Sequence, residues 1–144
     1  MISEREPESF NPKIEVVSCL LEYGNEILLL HRQDYKNEGD KWGLPAGKID
    51  KEDKNTLAAI VREVKEETGI MLSPKKVNYF KKFFVKYPQF DFIYHVFHVF
   101  LEQREEVRIR EEEHKDYRWI APEEALKLKL VMDESSSIKT FYNL

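Results

Sequence analysis

The chain has 144 residues, of which 42% are hydrophobic and 35% charged. That length makes one domain with a sizeable core, and the composition excludes a disordered tail. The net charge of −4 argues against a nucleic-acid or anionic-membrane binder, whose surface would be basic. No apolar run approaches the roughly 20 residues that a membrane-spanning helix needs. The first ten residues carry four charges, unlike a signal peptide. The one cysteine, Cys19, lies in an apolar run and reads as a small buried hydrophobe, as expected of a cytoplasmic protein.

In chain order, residues 1–12 read as a polar arm, followed by a single domain over 13–144. Ile14 to Leu21, rich in β-branched residues, predicts a strand. Tyr23-Gly24-Asn25 turns the chain into a second strand, Ile27 to His31. Gln33 to Lys41 reads as a loop. Trp42 to Ile49, punctuated by Gly43, Pro45 and Gly47, reads as extended chain with turns. A helix is predicted over Thr56 to Thr68. Val77 to Tyr87 and Phe90 to Leu101 form an aromatic-rich hairpin about Pro88-Gln89. Tyr117 to Ile120 reads as a short strand, Pro122 starts a short helix, and Asp133 to Tyr142 reads as a last one. Strands mixed with two or three helices give an α/β or α+β protein, with a mixed sheet between helical layers.

The central helix is the most informative element. Leu57, Ile60, Val61 and Val64 follow the spacing of one apolar face. Asn55 or Thr56 can cap its start, and Gly69 can end it. Glu63, Glu66 and Glu67 crowd three carboxylates into five residues. Like charges three and four apart repel, and a hard divalent cation is the natural counter-charge. The helical angle places Glu63 and Glu67 beside the apolar stripe, with Glu66 further round. Arg62, four residues from Glu66, can pair with it.

Residues 62–70, Arg-Glu-Val-Lys-Glu-Glu-Thr-Gly-Ile, resemble the second half of the Nudix box, G-x5-E-x7-R-E-U-x-E-E-x-G-U, at every specified position. Trp42 to Lys48 resembles the segment that leads into the box, and Glu113 to Ile120 a later stretch in which glutamate precedes tryptophan. The resemblance implies an α/β/α sandwich with a central mixed β-sheet. One departure stands out. Counted back from Arg62, the pattern expects its glycine and first glutamate where this chain has Lys48 and Lys54; Gly47 and Asp53 lie one residue earlier. One extra residue within 50–55 accounts for this, with Asp53 or Glu52 replacing the glutamate. Ala46 also replaces a glycine. A calcium-binding EF-hand loop starting at Asp50 is excluded, because its sixth and twelfth positions are Asn55 and Val61.

The resemblance further implies Mg2+-dependent hydrolysis of a nucleoside diphosphate linked to another group, with Mn2+ able to substitute. A nucleoside triphosphate is the first expectation for a chain this small. Glu63, Glu66 and Glu67 would be the metal-holding carboxylates, with the carbonyl of Gly47 or Ala46 completing the set. Arg62 would orient Glu66. Glu66 or Glu113 would be the general base, with Glu112 competing for the place of Glu113. Arg32 and Lys48 are candidate substrate contacts, and one or two hairpin aromatics could stack on a base. The substrate partner is a small nucleotide, with neither nucleic acid nor membrane expected, in a monomer or homodimer. The alternative is a catalytically silent Nudix domain that binds a nucleotide or a protein.

Overall fold

A computed structural model describes residues 1–144. The predicted elements are all present: β1 (Ile2–Ser3), β2 (Pro12–Tyr23), β3 (Glu26–Arg32), β4 (Trp42–Gly43), β5 (Ala46–Lys48), α1 (Thr56–Thr68), β6 (Asn78–Lys86), β7 (Asp91–Phe100), β8 (His114–Ile120), α2 (Pro122–Ala125) and α3 (Glu134–Tyr142). Two features are additional. A 3-10 turn spans Pro74–Lys76, and the N-terminal arm contributes β1, paired with the edge of β6 through Ile2↔Val85. Nothing local in a polar arm signals that strand, because it depends on an unpaired edge supplied elsewhere.

The sheet runs β1-β6-β7-β2-β3-β4, with β5 on β2 and β8 on β3. Only β2 and β7 are parallel (Val17↔His95), so the sheet is mixed. β2 changes partners along its length. Its early part, Val16 to Ser18, pairs with β5, and its end, Glu22 and Tyr23, pairs with β3. The remainder of β3 pairs with β8 and β4. This parting of β3 from β2 admits the short glycine strand β5 and puts it beneath α1.

Strand alternation divides the core in two. On one face Val17, Cys19, Leu21, Phe97 and Val99 pack with Ala59, Ile60 and Val64 of α1. On the other, Leu20, Leu29, Tyr94 and Val96 pack with Ala125 of α2 and Ile138 of α3. Helices on both faces make this an α/β/α sandwich. Buried polar groups tie α3 down: Tyr142 donates to Glu22 Oε1 at 2.6 Å, and His98 Nε2 meets the same oxygen at 2.9 Å.

Both helix caps follow the residue chemistry. The Asn55 side chain accepts from Ala58 N–H at 2.8 Å, and Gly69 closes α1 in the left-handed conformation at φ 77°, donating to Lys65 O. An added Cβ at Gly69 would meet nothing nearer than Arg108 Cβ at 3.5 Å, so only backbone strain opposes a side chain there. Gly69→Ala should therefore lower unfolding free energy by about 1 kcal/mol, measured by urea denaturation. An unchanged midpoint would show that the cap is not strained.

Candidate active site

The last two turns of α1 sit directly on β5. Packing of Ile60 and Val64 against the sheet turns Glu63 and Glu67 toward that strand, while Glu66 stays exposed. The approach is close because Gly47 has no side chain: a Cβ there would lie 2.1 Å from Glu63 Cδ. Next to it, Ala46 N–H donates to Glu67 Oε1 at 3.1 Å. Glu67 is thus a buried carboxylate, only 9% exposed, held by β5.

Arg62 ties the neighbouring loop to this turn. Nε and Nη2 donate to the two oxygens of Asp53 at 2.9 and 2.8 Å, a bidentate pair. Nη1 donates to Glu63 at 2.9 Å and Glu66 at 3.2 Å, and Nη2 also reaches Lys48 O at 3.2 Å. Asp53, not Glu52, therefore fills the position of the box's first glutamate. The extra residue lies between it and Arg62, where the Asn55 cap starts the helix. Asp53 also accepts from Asp50 N–H at 2.8 Å, which closes the enlarged loop.

Burial and mutual repulsion shape the charges. Burial, reinforced by the charge of Glu63, pushes the Glu67 carboxyl up to about 8. Burial also raises Glu63, opposed by the hydrogen bond from Arg62. Asp53 is lowered by its Arg62 hydrogen bonds, and Arg62 is raised in turn. The donor set is thus hard carboxylate oxygen beside the backbone of Ala46 and Gly47, and it is short of positive charge. That chemistry fits a hard divalent cation such as Mg2+. In the conformation shown, no three His, Cys, Asp or Glu side chains already converge as a metal cage, and Arg62 engages Glu63 and Glu66.

A cavity of about 310 Å³ opens beside the turn. Arg32, Gly47, Lys48 and Glu67 of the predicted set line it, together with Ala46. Glu63, Glu66 and Arg62 flank it without lining it. Glu113 stands apart, paired with Lys36 at 3.0 Å, although its charge is felt at Glu67. The cavity continues to Tyr87, Phe90 and Phe92 of the hairpin and to Met132, Asp133 and Glu134 before and at the start of α3. Glu134 is structural: it accepts from Leu44 N–H, Tyr94 Oη and Ser137 Oγ. Asp133, in contrast, has a buried Oδ2 with no hydrogen-bond partner.

His114 also lines the cavity, and sequence reasoning gave it no role. The missed signal is its place in β8. It is the inward residue ahead of four exposed ones, at a register shift where β8 meets Arg32. Burial, then the Arg32 charge, lowers its imidazole to about 4, so the ring is neutral at pH 7.

The profile of the NUDIX domain matches residues 12–141. A CTP pyrophosphohydrolase of Escherichia coli (strain K12) is 26% identical over 133 residues, covering 91% of this chain and 93% of that protein. The crystal structure of a MutT protein from Methanosarcina mazei Go1 superposes with a TM-score of 0.76 at 27% identity, over 92% of this chain and 94% of that one. A bifunctional NMN adenylyltransferase/ADP ribose pyrophosphatase from Francisella tularensis, complexed with AMP and Mn ion, shares the fold at TM-score 0.73 and 24% identity, over 94% of this chain and 42% of that one. The chain belongs to the NUDIX family, and it is a hydrolase of that family.

A pH dependence follows from Glu67. With its folded value raised from 4.5 to about 8, Glu67 holds its proton more tightly folded than unfolded. The stability this contributes is complete below pH 4.5 and is lost as pH rises through about 8. His114 has the opposite sign: its contribution is present above 6.5 and lost as pH falls through about 4. In chelator, Glu67→Gln should flatten the fall in Tm between pH 4.5 and about 8. An equally steep fall in the variant would assign it to other groups.

Proposed function

We propose that this chain is a metal-dependent nucleoside triphosphate pyrophosphohydrolase, cleaving the bond between the α and β phosphorus atoms to release a nucleoside monophosphate and pyrophosphate. The observation that carries the reading is that one cavity is lined both by Glu67 with the Ala46–Gly47 backbone and by an aromatic and acidic wall. Its volume suits a small ligand. Phosphates fit the first end and a base the second.

Glu63, Glu66, Glu67 and the carbonyl of Gly47 or Ala46 would hold Mg2+, with Mn2+ an acceptable substitute, as in the Mn-containing relative. When bound there, the metal supplies neutralisation of phosphate charge. Arg32 and Lys48 add cationic contacts to the phosphates at the cavity wall. Arg62 holds Glu66 in place, and Glu66 takes a proton from the attacking water as its oxygen bonds to phosphorus. Glu113, paired with Lys36, is the alternative base. Tyr87 and Phe90 offer faces for the base. Asp133 Oδ2, which takes no hydrogen bond and is ion-paired with the Met1 ammonium at 3.5 Å, is an acceptor suited to an exocyclic amino group. A cytosine supplies one, in keeping with the CTP pyrophosphohydrolase relative.

A screen of nucleoside di- and triphosphates, nucleotide sugars and dinucleoside polyphosphates with Mg2+ tests the reading. It should release pyrophosphate from a triphosphate, and excess chelator should abolish the release. Absence of hydrolysis across the panel would leave a silent binding domain instead. Glu67→Gln should lower kcat at least a hundredfold while the variant stays folded; turnover equal to the parent would remove Glu67 from the metal set. Asp133→Ala should narrow the KM preference for CTP over UTP by about tenfold, the worth of one hydrogen bond to a charged group. An unaltered ratio would show that Asp133 does not read the base.

A further inference from the structure

We infer that His114 is a positioning residue for Glu67, its Nδ1–H steadying the carboxylate that faces the metal-binding end of the cavity. The inference rests on the metal-site reading above and adds a residue to it.

His114 is 5% exposed, and its Nδ1 is one of two buried side-chain polar atoms without a hydrogen-bond partner. A buried nitrogen left unpaired is destabilising, so folding it here calls for a compensating use. The facing atom is Glu67 Oε2, at 3.4 Å. The other oxygen of Glu67 already takes the Ala46 N–H. One carboxyl group thus takes a hydrogen bond from β5 on one oxygen and faces the imidazole nitrogen at the start of β8 with the other.

The backbone aims the ring. His114 N–H donates to Arg110 O at 2.8 Å, and its carbonyl accepts from Gln33 Nε2. The register shift between His31 and Arg32 falls where β3 meets His114, and such irregularities re-aim side chains beside functional sites. The four residues that follow it in β8 are exposed, so the strand spends its one early inward position on this imidazole. Partners of this kind typically contribute 10–100-fold to metal affinity.

The test is Mn2+ binding without nucleotide, followed by electron paramagnetic resonance, on the parent, His114→Leu and His114→Asn. Asparagine keeps an N–H donor near the place of Nδ1; leucine keeps bulk and loses the donor. The inference expects His114→Leu to weaken Mn2+ at least tenfold and His114→Asn to remain within about threefold of the parent. Chelator-treated Tm values report whether each variant is folded. The parent gives a second readout that survives a misfolded variant: the His114 Nδ1 nitrogen resonance should move toward a stronger donor on adding Mg2+. Parent-like Mn2+ affinity in His114→Leu, equal losses in both variants, or an unmoved resonance would each overturn the role. A parent that binds no Mn2+ would overturn the metal-site reading as well, and this separates the two failures.

Discussion

The structure turns on one close approach, that of the acidic turn of α1 to the backbone of β5. It is possible because Gly47 leaves room that any Cβ would fill, 2.1 Å from the Glu63 carboxyl carbon. Burial of Ile60 and Val64 drives the helix onto the sheet, and the glycine lets the carboxylates come with it. The cost is repulsion and desolvation among Glu63, Glu66 and Glu67, visible in the raised Glu67 and Glu63. A core built for stability alone would not keep that charge there. A site that takes up a cation and phosphates has a use for it.

Around this contact the remaining features serve position. Arg62 binds Asp53 with one edge and Glu63 and Glu66 with another, so the loop and the helix share one guanidinium. The split pairing of β2 creates the place where β5 can lie under the helix. The hairpin and the segment before α3 close the far end of the cavity with aromatic faces and the Asp133 oxygen that takes no hydrogen bond. The buried carboxyl of Glu67 and the aromatic faces thus lie along one cleft of a Nudix hydrolase fold.

Much of this was legible in the sequence, and for identifiable reasons. α1 announced itself because its apolar period, its Asn55 cap and its terminal glycine agree. The hairpin was legible from β-branched and aromatic runs around Pro88-Gln89. The choice between Asp53 and Glu52 was not legible, since both are acidic and only the reach of Arg62 separates them. β1 and the first residues of β8 depend on partners distant in sequence, so Ile2 and His114 carried no local signal. The nearness of His114 to Glu67 arises from a strand pairing that residue spacing along the chain cannot encode.

The central claim is that the carboxylates of α1, seated on the backbone of β5, gather a hard cation against the phosphates of a nucleotide. Anomalous X-ray scattering from crystals grown with Mn2+ and a non-hydrolysable nucleoside triphosphate addresses it directly. The account predicts a manganese peak coordinated by Glu63 and Glu67 and touching the phosphate chain. Ordered nucleotide with manganese absent from that turn of helix would contradict it.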